Sequence, residues 1–204
     1  MATVLGLGAV AIDLTVMVDP VLGSHWIRPL MGAVVLVAFV ALGGGRAALG
    51  LRLVPLPGLR PWRRVMVAWA GVGVAMIGLV SLASWWNGTP LVSPFRREEE
   101  IAWFARSCLE APITEELLYR VAVCAPLAAA LGRRWTFALS GVLFAYLHFR
   151  WNKYQPTHLV TGAVYAWAYL RSSCVWVPIA MHAIGNVLGL TLFIVLFYCG
   201  LRVS

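Results

Sequence analysis

Three short patterns in this chain carry residue types that can move protons. They are Glu115-Glu116-x-x-x-Arg120 in "APITEELLYR", Phe144-x-x-x-His148 in "FAYLHFR" and His182-x-x-x-Asn186 in "MHAIGN". A carboxylate can take a proton from water, and a histidine can hold or share that proton. A second histidine and an amide can donate hydrogen bonds to the oxyanion that develops on an attacked carbonyl. Together these are the parts for hydrolysis by an activated water. Glu and His are also zinc ligands, but these histidines come singly from separate segments, and their spacing gives no support to a metal. No cofactor is expected. No Ser-His-Asp elbow, HExxH pair or P-loop competes for the chemistry.

Spacing assigns directions to these side chains. Residues four apart lie on one face of a helix. Glu116 and Arg120 are therefore expected to pair, which lowers the cost of both charges. His182 and Asn186 point the same way one turn apart, and His148 stacks over Phe144. Glu115 projects about 100° from Glu116, so the two glutamates need not share a role. Each pattern taken singly also has a structural reading. The Glu–Arg pair can serve insertion and packing, His148 can sit at a membrane interface, and His182 with Asn186 can join two helices. Gly185-x-x-x-Gly189 reads as close helix packing. His25 and His158 fall at loops or segment ends, with no partner that the sequence names. Asp13 is expected to make a buried hydrogen bond to a neighbouring helix.

The elements that must hold these residues are apolar. The chain has 204 residues, 61% of them hydrophobic and 12% charged, with mean hydropathy +0.84. Soluble domains carry about twice that charged fraction. Hydrophobic runs at about 2–19, 29–45, 65–86, 101–131, 135–149, 157–170 and 174–198 approach the ~20 residues that cross a bilayer. Only helices can do so here. The expectation is an all-α, polytopic bundle of about six to eight helices, a single membrane domain over 1–204, with its polar residues inside. The run 101–131 contains Pro112 and is too long for one simple crossing. It is expected as an interfacial or tilted piece near 98–110, followed by a new helix from about 113.

The net charge of +8, from fifteen Arg and one Lys, would indicate nucleic acid on a soluble protein. Here the basic residues flank apolar segments, where topology signals and lipid headgroup contacts belong, and no nucleic-acid partner is expected. Trp26, Trp62, Trp85, Trp86, Trp103, Trp135, Trp151 and Trp176 lie near segment ends, as in an aromatic belt. The stretch from Gly43 to Arg64, with Gly, Pro and five Arg, is expected as a cytoplasmic loop. That choice puts the N-terminus, Arg133, Arg134 and Arg171 inside, and Arg96, Arg97, Arg150 and Lys153 outside. Cys108, Cys124, Cys174 and Cys199 lack metal spacing and read as small core residues. The N-terminus lacks a basic signal-peptide start and reads as a retained membrane segment.

EExxxR, FxxxH and HxxxN, in that order on successive membrane helices, resemble the CPBP family of intramembrane proteases. That family includes type II CAAX prenyl endopeptidases and bacterial bacteriocin-processing and immunity proteins. The resemblance covers about 95–190, and 1–94 carries no recognised motif. It implies that Glu115 is the general base, assisted by His148, and that His182 and Asn186 stabilise the oxyanion. Glu116 and Arg120 complete the motif, with Phe144 on the substrate side. It further implies a glutamic-type endopeptidase of a multi-pass inner membrane, acting on a membrane-associated or exported protein. A non-enzymatic immunity or scaffold protein of the same fold is the alternative.

Overall fold

The structure is a computed structural model, which describes residues 8, 11–13, 27–41, 45, 47, 49–87, 100–150 and 157–198. His25, Trp26, Arg96, Arg97, Trp151, Lys153, Cys199 and most of the apolar run 2–19 lie outside the described residues. The fold is all-α. Helix α1 is Ile27–Ala41 and α2 is Leu59–Trp86. A helical run over 100–131, here α3, is followed by α4 (Arg133–Arg150), α5 (Thr157–Ser172) and α6 (Trp176–Tyr198). Among the described residues there is no strand, only one bridge between Leu51 and Cys174.

Helix α2 begins at Leu59, six residues before the apolar run that marks it. Pro61 falls in its first turn, where no intrahelical N–H bond is required and a fixed φ suits the helix. The larger departure is α3. Instead of stopping near 110 and starting again, the chain stays helical from 100 to 131. It does so by widening twice into π-helix, at Arg106–Glu110 and Leu117–Cys124. Each wide stretch runs into an Ala-Pro pair, Ala111-Pro112 and Ala125-Pro126. A proline ring clashes with the carbonyl four residues back and donates no bond to it. Shifting the ladder to i→i−5 removes that conflict. The amides of Ala111 and Ala125 accordingly bond to Arg106 O and Arg120 O, five residues back.

The chain forms two compact units. The first comprises Met1–Leu59 and Ile113–Ile179. Its core is built on the Leu118–Cys124 face of α3, with Phe144 and Leu147 of α4 and Ala166 and Tyr169 of α5. Helices α4 and α5 cross closely because glycine sits on both sides of the contact. A Cβ on Gly162 would lie 2.6 Å from Phe144 Cβ, and one on Gly141 would lie 2.7 Å from the Leu159 carbonyl. The Gly- and Pro-rich stretch before α2 is a loop, as its composition predicts, and it is clamped to this core. Tyr169 Oη donates to Leu49 O (2.8 Å). Val175 N donates to Gly50 O (2.7 Å), and Leu56 N to Ser172 O (2.8 Å). Gly50 has φ +63° and lies against the Tyr169 ring, where a side chain would collide.

The second unit comprises Arg60–Pro112 and Ala180–Ser204. Within it Trp69 Nε1 of α2 donates to Met181 O of α6 (2.9 Å), and Gly73 faces Leu188. Asn186 Nδ2 donates to Ser107 O (2.6 Å).

The distribution of polarity is inverted relative to a soluble protein. Glu115, Glu116, Arg120, Thr136, Ser140 and His182 are buried, while Val67, Leu79, Val142, Tyr146 and Phe149 are among many large apolar residues left exposed. Among the described residues one helix, Leu59–Ala83, is long and apolar enough to cross a membrane, and none of its most apolar stretch is buried inside the protein.

Candidate active site

Helix α3 presents the acidic motif where its second wide turn begins. Glu116 and Arg120 are fully buried and form the pair that their spacing predicts. Arg120 Nε donates to Glu116 Oε2 (2.6 Å), and Nη2 to Oε1 (3.4 Å). A second arm, Nη1, donates to Ser140 Oγ on α4. The guanidinium carbon stands 5.6 Å from the Phe144 ring centroid, within cation–π range. Arg120 thus offsets the buried negative charge and joins α3 to α4. Glu115, one residue earlier, is 6% exposed.

Helix α4 supplies the next pair. His148 stacks on Phe144 with centroids 4.4 Å apart, as the four-residue spacing predicts. Its Nδ1 lies 2.8 Å from the Phe144 carbonyl oxygen. A carbonyl only accepts, so Nδ1 carries the hydrogen, and in the neutral ring Nε2 is then the basic nitrogen. Phe144 is buried at the centre of an aromatic group. Tyr119 meets it edge-on at 6.1 Å, and Tyr165 at 6.5 Å.

Three further residues belong to this site and were not assigned to it from sequence. His158, in the first turn of α5, lies 4.0 Å from His148 ring to ring and 6.0 Å from Phe144. The short α4–α5 connection, with a histidine on either side, is the only trace of this in the sequence. Ser140 offers no signal beyond lying one turn before Phe144. Tyr119, one turn after Glu115, donates to Asp13 Oδ2 at 2.5 Å. Asp13 therefore makes the buried hydrogen bond to another helix that its position predicts.

His182 and Asn186 belong to the second unit. His182 is buried on α6, next to the Met181 carbonyl that Trp69 holds. Asn186 is half-buried and bound to Ser107 O. The motif residues thus fall into a carboxylate–arginine–histidine cluster in one unit and a histidine–amide pair in the other. Among the described residues, no three His, Cys, Asp or Glu side chains are grouped to hold a metal.

Fold and cluster together define a helical protein that keeps carboxylates, a guanidinium and imidazoles inside an apolar exterior. Residues 97–188 match the family described as Type II CAAX prenyl endopeptidase Rce1-like. This segment spans all three motifs, and the match bears out their resemblance to the CAAX-protease group. No curated protein and no solved structure matches the chain.

Proposed function

We propose that the protein is a membrane-embedded endopeptidase that hydrolyses a peptide bond of a membrane-associated or exported protein. The likeness of residues 97–188 to a family of endopeptidases supports the reaction class. The observation that carries the mechanism is His148, whose Nδ1–H is held by the Phe144 carbonyl and whose basic nitrogen is therefore Nε2. Glu115 takes a proton from water as the water oxygen bonds to the scissile carbonyl carbon, and His148 shares that proton. The carbonyl oxygen becomes an oxyanion, and the resemblance assigns its stabilisation to His182 and Asn186. Collapse of the tetrahedral intermediate breaks the C–N bond, and the proton passes to the leaving amine. Glu116 and Arg120 brace the cluster, and Phe144 lines the substrate side.

The proposed mechanism uses no resident cofactor, and the reading takes the protein as a multi-pass protein of a bacterial inner membrane. The buried charges and exposed apolar faces support a lipid surround, because lipid rewards that inversion and water does not. Under the topology with the Gly43–Arg64 loop inside, the glutamates and His148 lie toward the outer side. That suits exported or anchored substrates better than cytosolic prenylated ones.

The test is terminal proteomics of the native host carrying wild type or Glu115→Gln. Uncleaved precursors accumulating in the variant are expected, and they would name the substrate class. Unchanged termini, with the variant expressed and folded, would replace this reading with an immunity or scaffold protein.

A further inference from the structure

Helices α4 and α5 run antiparallel, and their register decides which residues share an end of the first unit. His148 lies against His158, and Phe144 against Gly162. Followed back to the start of α4, the same register brings Arg133, Arg134 and Trp135 to the end where α5 closes with Arg171. The loop before α2 is pinned at that end. The Leu56 amide donates to Ser172 O (2.8 Å) and the Val175 amide to Gly50 O (2.7 Å), while Cys174 Sγ donates to Arg52 O (3.0 Å). Arg52, Arg133, Arg134 and Arg171, scattered along the sequence, thus gather at one end of one unit, and all are exposed. Among the described residues of this unit the acidic side chains, Asp13, Glu115 and Glu116, are buried, so no exposed carboxylate offsets these arginines.

Apolar side chains stand beside the charges. Leu53 is 85% exposed and Val54 58%, at a bend whose flanking backbone is bonded to the core. Trp135, at the start of α4, is 69% exposed, and Trp176, which opens α6, 51%. We propose that this end of the unit is a docking site for anionic phospholipid headgroups. The guanidinium groups meet the phosphates, for which their forked N–H donors are suited. Leu53 and Val54 enter the upper acyl region, and the indoles lie at headgroup depth. A free anion would leave the apolar side chains idle, and a neutral lipid the arginines; an anionic lipid engages both. The site is distinct from the candidate active site, because Arg134 stands about 21 Å along α4 from His148. It rests on the membrane-embedded part of the proposed function and not on the peptidase part.

The experiment follows thermal unfolding of the full chain in a neutral detergent as phosphatidylglycerol, phosphatidylcholine or inorganic phosphate is added. Phosphatidylglycerol is expected to raise Tm at least about 4 °C more than phosphatidylcholine does, and about 0.5 M salt to remove most of that difference. Replacing Arg52, Arg133, Arg134 and Arg171 together by Gln is expected to raise the phosphatidylglycerol midpoint at least about tenfold. Arg150→Gln, at the His148 end of α4, is expected to move it less than about twofold. Leu53→Ser with Val54→Ser is expected to raise it at least about threefold. Should the fourfold variant not fold, the single Arg→Gln variants decide, each shifting the midpoint about two- to fivefold. An equal response to phosphatidylcholine or to inorganic phosphate overturns the site, as does a midpoint that the arginine substitutions leave unmoved. A midpoint indifferent to Leu53 and Val54 overturns the insertion. Recovery of the chain in the soluble fraction of lysed host cells would refute the membrane reading and this site with it. Failure of the peptidase reading alone leaves the lipid response to decide the site, because no cleavage is measured.

Discussion

The imidazole of His158 lies over that of His148, with ring centroids 4.0 Å apart and planes inclined by 35°. His148 is therefore held between two rings, Phe144 one turn back on its own helix and His158 at the start of the next. A stacked ring contributes about 0.5–1.5 kcal/mol of orientation. His158→Ala is expected to lower kcat by about 3- to 10-fold, and His158→Phe, which keeps the ring, is expected to retain most activity. Steady-state kinetics decide the point, and an alanine variant with wild-type kcat removes His158 from the site.

Loss of the groups that handle the proton should cost far more. Glu115→Gln and His148→Ala are each expected to lower kcat by about 10²- to 10⁴-fold, the range for a positioned general base, while thermal unfolding still shows a folded protein. Retention of full activity by either variant ends the water-activation mechanism.

Arg120 is a different kind of residue. Removing one partner of a buried ion pair leaves the other charge unmatched, at about 3–5 kcal/mol. Arg120→Ala also removes the N–H that Ser140 Oγ accepts and uncovers one side of Phe144. A fall in Tm of roughly 10 °C is expected, with loss of folded yield. Glu116→Gln with Arg120→Met, which removes both charges together, should recover part of it. A Tm unmoved by Arg120→Ala would show that the pair contributes nothing to stability.

The Asp13–Tyr119 bond gives a milder case. Tyr119→Phe deletes one buried hydrogen bond, worth about 1–2 kcal/mol. Asp13→Asn keeps an acceptor and should be tolerated better. Chemical or thermal unfolding of both variants tests the order, and the reverse order would count against a structural role for the bond.

Glycines separate crowded from open positions. Gly162→Ala places a methyl against Phe144 Cβ and is expected to destabilise by about 1–3 kcal/mol through overpacking, with activity falling as Phe144 shifts. Gly71→Ala and Gly78→Ala, where a Cβ meets nothing within 4 Å, should be neutral or stabilise by up to ~1 kcal/mol. Similar Tm values for all three would refute the close crossing of α4 and α5.

Much of this protein was legible in the sequence, because the relevant physics is local. Helix geometry fixes which residues four apart can meet, so the Glu116–Arg120 pair and the His148–Phe144 stack follow from spacing alone. Apolar composition set the all-α class and the burial of the charged motifs. Pro112 was visible as a disturbance, and its missing N–H is a property of the residue. What the sequence could not reveal is how the backbone absorbs that disturbance. A break and a widened turn both relieve the same clash, and packing selects between them.

The remaining relationships belong to tertiary structure. His158 against His148, Arg120 on Ser140, Tyr119 on Asp13 and Asn186 on Ser107 join residues from 10 to 106 positions apart. Their meeting depends on where helices cross, and crossings are set by volumes such as the absent side chains of Gly141 and Gly162. Side-chain type decided which residues must find a partner away from water. Only the folded chain decided which partner each one found, because that choice is made by three-dimensional packing and not by spacing along a helix.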